Sequence, residues 1–192
     1  IPLIEAINNK DDSIQALILC PTRELVLQTT EELQQVAFFK EGIRMCPIYG
    51  GQNIERQLMA LRKRPQIIIA TPGRMMDHLR RKTVKISSLK CLILDEADEM
   101  LNMGFREDLD IILETVPSER QTVLFSATMS QDILAIANTY TKNPEFVKVA
   151  HQQLTVPTIE QYYLEVKSKN KVEFLCRLVE HNSYKLSIIF CN

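Results

Sequence analysis

Short apolar runs alternate with helical apolar patterns from residue 15 to residue 149. Runs of almost uniformly apolar residues predict buried strands. Between them, apolar residues recur every three or four positions, as on one face of a helix. This alternation is typical of right-handed βαβ crossovers and predicts an α/β fold, a doubly wound parallel sheet with helices on both faces. The predicted strands cover residues 15–20, 44–49, 66–70, 91–94 and 121–125, and residues 146–149 close the unit.

Cap and turn residues mark where several of the predicted helices begin and end. Pro21 stops the first strand, and Thr22 is a candidate N-cap for the helix that follows. Gly104 separates a short helix from a longer one that Pro117 terminates, and Ser130 is a second candidate N-cap. The signals at helix ends therefore agree with the predicted alternation.

A polar stretch that contains Val156-Pro157 interrupts the alternation and predicts a domain boundary. Residues 1–150 are predicted to form one domain, residues 151–158 a linker, and residues 159–192 the beginning of a second domain. In this last part 159–166 and 186–191 are strand-like around a helical pattern, and so short a stretch cannot bury a core of its own.

Composition excludes several classes of protein. With 192 residues, 45% hydrophobic and 24% charged, the chain is predicted to be globular. Its longest apolar runs have the length of strands, and its start lacks the pattern of a signal peptide, so we expect a cytoplasmic protein without a membrane partner. The five cysteines are expected to be reduced, and the three histidines, which lack metal-ligand spacing, to be surface or cap residues.

A net charge of −1 provides no global positive field, so any binding of nucleic acid must depend on local groups. Two basic clusters, Arg62-Lys63-Arg64 and Arg80-Arg81-Lys82, close helical patterns. Cations there complement the helix dipole, so both clusters are predicted first as solvated helix ends, with a binding role as the alternative.

Adjacent carboxylates follow the predicted strand 91–94 directly. Asp95 and Glu96 would repel each other, which makes most sense if a hard cation such as a phosphate-bearing magnesium ion sits beside them. The alternative is that they and Asp98 merely place negative charge in the first turn of the next helix. The motif alone leaves both interpretations open.

An unusual turn follows each predicted strand, and in a parallel sheet these turns lie along one edge, where they would line one crevice. Helix-opening amides there suit phosphate oxygens, and Arg23 and Arg74 could add charge-assisted bonds that carry no sequence information. Each turn alone is ordinary, but five in register favour a binding site. They are Thr22-Arg23-Glu24, Gly50-Gly51, Thr71-Pro72-Gly73-Arg74, Asp95-Glu96-Ala97-Asp98 and Ser126-Ala127-Thr128.

These five motifs, taken in chain order, resemble those of the first domain of DEAD-box ATP-dependent RNA helicases. The first of them extends over Pro21-Thr22-Arg23-Glu24-Leu25. Ile188-Ile189-Phe190-Cys191-Asn192 also resembles the start of the first strand motif of the second domain. The resemblance implies two RecA-like domains that clamp ATP and RNA between them, a monomeric core, and binding to the backbone of single-stranded or duplex RNA.

The resemblance also implies roles by position. Asp95 would hold Mg²⁺ through water, and Glu96 would polarise the water that attacks the γ-phosphate of ATP. Asp98 would bond toward Ser126 or Thr128 and so link the nucleotide site to the RNA surface. Phosphates and 2′-hydroxyls of RNA would contact Thr22, Arg23, Gly50, Gly51, Thr71, Pro72, Gly73 and Arg74.

The sequence also departs from the family's pattern. It contains no G-x-x-x-x-G-K-[S/T] phosphate loop, which the family places just before the helix whose tail resembles residues 1–7. The adenine-recognising glutamine motif is absent too, so we expect these residues alone to bind ATP poorly and to hydrolyse none. Two alternatives are a non-catalytic RNA- or partner-binding module and a phosphoacceptor receiver domain, which would need a lysine near 126–130 that is absent.

Overall fold

The computed structural model describes residues 1–148, 160, 162–182 and 184–191. Contacts divide the chain into Ile1–Glu145 and Phe146–Asn192, and each unit is described by itself. The predicted linker and the predicted start of the second domain at Ile159 lie outside the described residues. Within the described residues, no helix combines the length and the apolar character that a membrane span requires.

The first unit is built on a parallel sheet of five short strands. Their order across the sheet is β2-β3-β1-β4-β5, and every neighbouring pair is parallel. This confirms the predicted strands, each within two residues at either end. The strands are β1 (Ala16–Leu19), β2 (Met45–Ile48), β3 (Ile67–Ala70), β4 (Cys91–Leu94) and β5 (Gln121–Leu124).

Seven α-helices accompany these strands in the described part of the first unit. They are α1 (Pro2–Ala6), α2 (Arg23–Val36), α3 (Ile54–Leu61), α4 (Pro72–Arg80), α5 (Ala97–Asn102), α6 (Arg106–Thr115) and α7 (Gln131–Tyr140), and a 3₁₀ turn, Ala37–Phe39, follows α2.

The sheet is covered on both faces, as predicted. Because successive residues of a strand point to opposite faces, β1 contributes to two separate cores. Leu17 and Leu19 pack with residues of α4, α5, α6 and α7 on one face. Ala16 and Ile18 pack with residues of α1 and α2 on the other. Every residue of β1 and β3 is buried, whereas β5 is only partly covered.

Helix ends confirm the predicted caps. The Thr22 Oγ1 accepts a hydrogen bond from the Leu25 N–H at 3.2 Å, and the Ser130 Oγ accepts one from the Ile133 N–H at 3.4 Å. Gly104 has a φ of +84°, which suits the chain reversal between α5 and α6. Helix α4 begins at Pro72, because proline is pre-organised for the first helical position, so Thr71-Pro72-Gly73-Arg74 opens this helix as expected of the turn.

The second unit contains a 3₁₀ turn, Ser168–Asn170, and the helix α8 (Lys171–Asn182), which confirms the helical pattern predicted there. The strands predicted at 159–166 and 186–191 are wrong for their described residues, none of which belongs to a strand, and residues 146–148 also lack one. A strand requires a neighbour for its backbone N–H and C=O groups, and the described residues of this unit offer no such pairing.

Candidate functional site

The last residues of the five strands form one row across the sheet. Leu19 pairs with both Ala70 and Leu94, Ile48 pairs with Ala70, and Leu94 pairs with Leu124. All five predicted turns therefore start from the same edge, which confirms that prediction. We call this edge the carboxyl edge of the sheet.

Asp95 lies at the middle of the carboxyl edge. Its backbone N–H donates to the Leu19 carbonyl at 2.9 Å, which extends the pairing of β4 with β1 by one residue. Burial of its carboxyl group raises the pKa of Asp95, and the charge of Glu32 raises it further. Asp95 is also the one carboxylate that lines a mainly apolar cavity of about 550 Å³ beside α1 and α2. A partly buried carboxylate of this kind favours a cationic ligand.

Glu96 has the left-handed backbone conformation, with φ 50° and ψ 51°. A non-glycine residue pays about 1–2 kcal/mol for this geometry. It occupies the N-cap position of α5, but its side chain makes no capping bond, and its exposed carboxylate has no hydrogen bond or ion pair with the described part of the chain. The alternative that Glu96 merely favours the helix dipole does not explain this strain.

Asp98 joins the loops that follow β4 and β5. Its Oδ2 accepts hydrogen bonds from the Thr128 N–H at 2.9 Å and from the Thr128 Oγ1 at 2.8 Å. Partial burial acts to raise the pKa of Asp98, but the hydroxyl groups of Thr128 and Ser126 and the Thr128 N–H outweigh it and hold the pKa below its ordinary value. Of the two partners predicted for Asp98, Thr128 makes the hydrogen bonds, whereas the Ser126 Oγ donates to the Thr128 carbonyl at 2.6 Å.

Thr22 and Arg23 stand at the N-terminus of α2. Since the Thr22 Oγ1 serves as the cap acceptor, its hydroxyl proton remains available to donate to another group. The Arg23 guanidinium lies over the ring of Tyr49, 5.1 Å from its centroid. Arg23 thus extends from the loop after β1 across to the end of β2 while remaining exposed.

The Gly50-Gly51 turn and the N-terminus of α4 present bare backbone beside each other. Gly51 has a φ of +80°, and a side chain added to Gly50 or Gly51 would meet nothing within 4 Å. Thr71 makes no side-chain cap, and the Gly73 N–H has no acceptor among the described residues. Uncapped amides at a helix N-terminus attract anions, so this part of the edge suits phosphate.

Arg74 is more deeply placed than the sequence suggests, with 15% of its side chain exposed. Its Nη1 donates to the Gln52 carbonyl at 3.0 Å and to the Gln57 Oε1 at 3.2 Å, and its Nε lies 3.6 Å from the Asp77 Oδ2. Arg74 therefore ties the loop after β2 to the N-terminus of α4. The phosphate contact predicted for it stays a prediction.

Beneath this edge lies a buried polar network that the sequence did not reveal. Gln57 and His78 are 1% and 0% exposed. The Gln57 Nε2 donates to the Tyr49 carbonyl at 2.9 Å, and its Oε1 lies 3.0 Å from the His78 Nε2 and 3.2 Å from the Arg74 Nη1. His78 Nδ1 in turn contacts the Thr83 Oγ1 at 2.8 Å.

The network fixes the tautomer of a neutral His78. Because the Gln57 oxygen can only accept, Nε2 must carry the proton, and Nδ1 is then left to compete with the His78 carbonyl, 3.1 Å away, for the single hydroxyl proton of Thr83. Burial lowers the pKa of His78, and the nearby charge of Arg74 lowers it further. The prediction that His78 is a surface or cap residue is therefore wrong, whereas His181 is exposed.

The sequence did contain a signal for both missed residues. Gln57 follows Ile54 by three positions and precedes Leu61 by four, and His78 follows Met75 by three, so each lies in phase with an apolar stripe. A polar residue in such a position points to a buried hydrogen-bonding partner, although its identity depends on the fold.

The order of the motifs and their arrangement along one edge identify the family. A sequence model described as DEAD/DEAH box helicase matches residues 1–136. The chain belongs to the DEAD/DEAH box helicase family. The RecA-like parallel sheet predicted from the motifs is confirmed by a crystal structure of a DEAD box protein from Methanococcus jannaschii. That protein is 42% identical, has a TM-score of 0.75, and aligns over 94% of this chain and 48% of its own.

Other family members align over most of the chain. A protein named DEAD-box ATP-dependent RNA helicase CshA from Geobacillus kaustophilus is 50% identical over 190 residues, and its Bacillus subtilis counterpart is 48% identical. These alignments cover 99% of this chain but 40% and 38% of the two relatives. The yeast DEAD-box splicing factor Prp28 aligns over 67% of this chain and 31% of its own, with 37% identity and a TM-score of 0.64. The chain thus spans less than half the length of these proteins.

Proposed function

We propose that this chain supplies part of the core of an ATP-dependent RNA helicase, in which ATP hydrolysis is coupled to local unwinding and clamping of RNA. The observation that carries the proposal is the single row of five loops at the carboxyl edge, with acids directly after β4 and helix N-terminal amides after β1 and β3. The names of the curated relatives, which specify ATP and RNA, support it.

The acids at the end of β4 fit a magnesium ion that arrives with a nucleotide. Mg²⁺ keeps several waters and binds through one or two carboxylates together with substrate phosphates. No cluster of three or more metal-ligating side chains occurs among the described residues. Asp95 would therefore hold the ion by itself, through water. When bound, Mg²⁺ would neutralise charge on the phosphates.

Glu96 is the residue we assign to the attacking water. Its carboxylate is exposed and uncommitted, and the strained backbone presents it directly after Asp95. A carboxylate in this position can orient a water molecule and accept its proton, which is the positioning task that phosphoryl transfer demands. Asp98 holds the loop after β5 next to these acids through Thr128.

The other loops would bind RNA through its backbone. The Thr22 hydroxyl, Arg23, the bare Gly50-Gly51 turn and the amides at the start of α4 all offer donors or close approach, and none offers an edge that distinguishes bases. We therefore propose binding without sequence specificity, with an affinity that falls as salt rises.

ATP turnover tests the catalytic assignment. The sequence of 192 residues holds no phosphate loop, so this chain alone should show no ATPase activity, whereas a protein that also carries such a loop should lose its activity with Glu96→Gln. Turnover by the isolated chain that disappears with Glu96→Gln would contradict the first expectation. A full-length protein with a phosphate loop and unchanged turnover in Glu96→Gln would overturn the role of Glu96.

Salt titration of RNA binding tests the interface and separates the helicase from a non-catalytic module. In the full-length, ATP-bound protein, Arg23→Gln should weaken binding to single-stranded RNA and reduce the salt slope by about one. Arg62→Gln is the matched control, because Arg62 lies at the far end of α3. Equal slopes for both variants would refute the contact. Binding that ignores ATP would favour the non-catalytic module.

A further inference from the structure

The two basic clusters meet on the side of the sheet opposite the carboxyl edge. Helices α3 and α4 begin after β2 and β3 at the carboxyl edge and therefore end on the far side, where Arg62 and Arg81 are their C-cap residues. Between the end of α4, residues 82–87 and α6 lies an open groove of about 520 Å³. We call it the α4–α6 groove.

The floor of the groove is aliphatic. Val84 and Ile86 are almost fully buried, with 5% and 3% exposure, and Met76 lies beside them at 3%. Ile111, on α6, borders the groove and is 45% exposed. The apolar surface that a ligand could cover is therefore Ile111 at the margin and the partly exposed Leu79 of α4, above a buried floor.

The rim of the groove carries only positive charge. Arg80, Lys82 and Lys85 are its three charged lining residues, all are exposed, and none forms a salt bridge with the described part of the chain. Lys82 and Lys85 also line an adjoining hollow of about 410 Å³, in which Arg64 is paired with Asp12 at 3.0 Å. In a chain of net charge −1, this is a local concentration of cations.

We propose that the α4–α6 groove docks an acidic, amphipathic segment of a partner protein. Its apolar side chains would cover Leu79 and Ile111 above the buried Val84 and Ile86, and its carboxylates would face Arg80, Lys82 and Lys85. An aliphatic floor within a cationic rim complements such a segment in both respects. RNA matches only the rim, because none of the described residues that line the groove is aromatic, and a base would have no ring to stack on.

The location makes this docking independent of the proposed catalytic function. The groove is lined by the second half of α4 and the residues that follow it, whereas the candidate RNA contacts lie at the first turn of the same helix. A partner held here would therefore leave the carboxyl edge free, and the helicase could be recruited while it works on RNA.

A peptide selection tests the proposal. The probe is a random-peptide display library selected on the complete chain, after which individual peptides are synthesised and their affinities for the complete chain and for a Lys82→Glu/Lys85→Glu variant are measured by fluorescence anisotropy. Recovered peptides should combine Asp or Glu with large apolar residues. Their affinity should fall about tenfold or more in the double variant and several-fold in Ile111→Gln.

Matched controls exclude general effects of charge and surface apolarity. Lys63→Glu reverses a charge near the groove without lining it, and Met59→Gln removes an exposed apolar side chain, 57% exposed, from α3. Both should change the affinity by less than about twofold, which is well under the tenfold loss expected of the double variant. Circular dichroism of every variant checks that the fold is intact.

Three results would overturn the proposal. The first is a selection that yields no binders, or binders without acidic residues. The second is equal affinity for the double variant and the unmodified chain. The third concerns RNA, with fluorescein-labelled oligouridylate as the probe. If its affinity for the Lys82→Glu/Lys85→Glu variant falls by as much as its affinity for Arg23→Gln, the groove is a surface for nucleic acid.

Discussion

Replacing Gln57 with methionine removes the centre of the buried network beneath the Gly50-Gly51 turn and nearly conserves the length of the side chain. The change deletes the bond to the Tyr49 carbonyl at 2.9 Å, the contact with the His78 Nε2 at 3.0 Å and the contact with the Arg74 Nη1 at 3.2 Å. Two of these three partners, the Tyr49 carbonyl and the His78 N–H, would then be buried without an alternative among the described residues.

The magnitude follows from these two orphaned groups. Leaving a buried donor or acceptor unsatisfied costs about 1–3 kcal/mol, so the two together should destabilise the fold by about 2–6 kcal/mol. Arg74 adds little, because it keeps its bond to the Gln52 carbonyl and remains within reach of water. Against a typical total stability of about 5–15 kcal/mol, the loss is large.

Urea denaturation followed by circular dichroism measures the effect. With an m value of about 1–3 kcal/mol per M, the midpoint of Gln57→Met should fall by roughly 1 M or more. Gln34→Met is the matched control, because Gln34 is an exposed helical glutamine, and it should change the midpoint little. Equal midpoints and m values for Gln57→Met and the unmodified chain would refute the network as a source of stability.

Gln57→Glu tests the bond that the Gln57 amide donates separately from the bonds that it accepts. A carboxylate can still accept from Arg74 and His78, but it faces the Tyr49 carbonyl without a proton to donate. Its negative charge should also move the pKa of His78 from below its ordinary value of 6.5 to above it, which NMR titration of the imidazole would record. An unchanged His78 titration would contradict the geometry of the network.

Two further predictions concern pH and the link between the acidic loops. Since the pKa of His78 is depressed in the folded chain, the unfolded chain binds the extra proton, and stability should decrease as pH falls below about 6.5, by at most about 1.4 kcal/mol per pH unit. His78→Gln should flatten this slope in urea titrations at several pH values, and His181→Gln, at an exposed site, should leave it unchanged. Thr128→Val removes the 2.8 Å hydroxyl bond to Asp98 and should accelerate amide hydrogen exchange at residues 126–128. Thr115→Val removes a bond within α6 and should have no effect on those amides; equal exchange in both variants would contradict the link.

The strands of the sheet could be predicted from the sequence because a strand buried on both faces consists almost entirely of apolar residues. Leu17 and Leu19 on one face and Ala16 and Ile18 on the other make an uninterrupted apolar run, and such runs locate the strands and their ends. Once every strand is parallel, the position of Asp95 after β4 follows without knowledge of the side chains.

What the hydrophobic pattern could not supply were the burial and backbone conformation of single residues that depend on contacts with distant ones. The depth of Arg74 results from acceptors on the loop after β2, and the burial of His78 depends on a glutamine from α3. The left-handed conformation of Glu96 is imposed by the loop after β5, because the Ala97 N–H donates to the Phe125 carbonyl at 3.0 Å. The strands predicted in the second unit failed for a related reason, since an apolar run becomes a strand only beside a partner.

The contacts between loops divide the carboxyl edge into two groups. Arg23 over Tyr49 and Arg74 with Gln52 tie the loops after β1 and β3 to the end of β2. Thr128 with Asp98 ties the loop after β5 to the acids after β4.

One direct hydrogen bond joins these two groups of loops among the described residues. It runs from the Asp95 N–H to the Leu19 carbonyl. This link continues the parallel pairing of β1 with β4 in the centre of the sheet, and it involves none of the side chains assigned to ATP or RNA. Coupling between a nucleotide at the acids and RNA at the basic loops is therefore expected to depend on contacts outside this sheet. For that reason Thr128→Val, which loosens the acidic group, should leave the affinity of the isolated chain for single-stranded RNA unchanged.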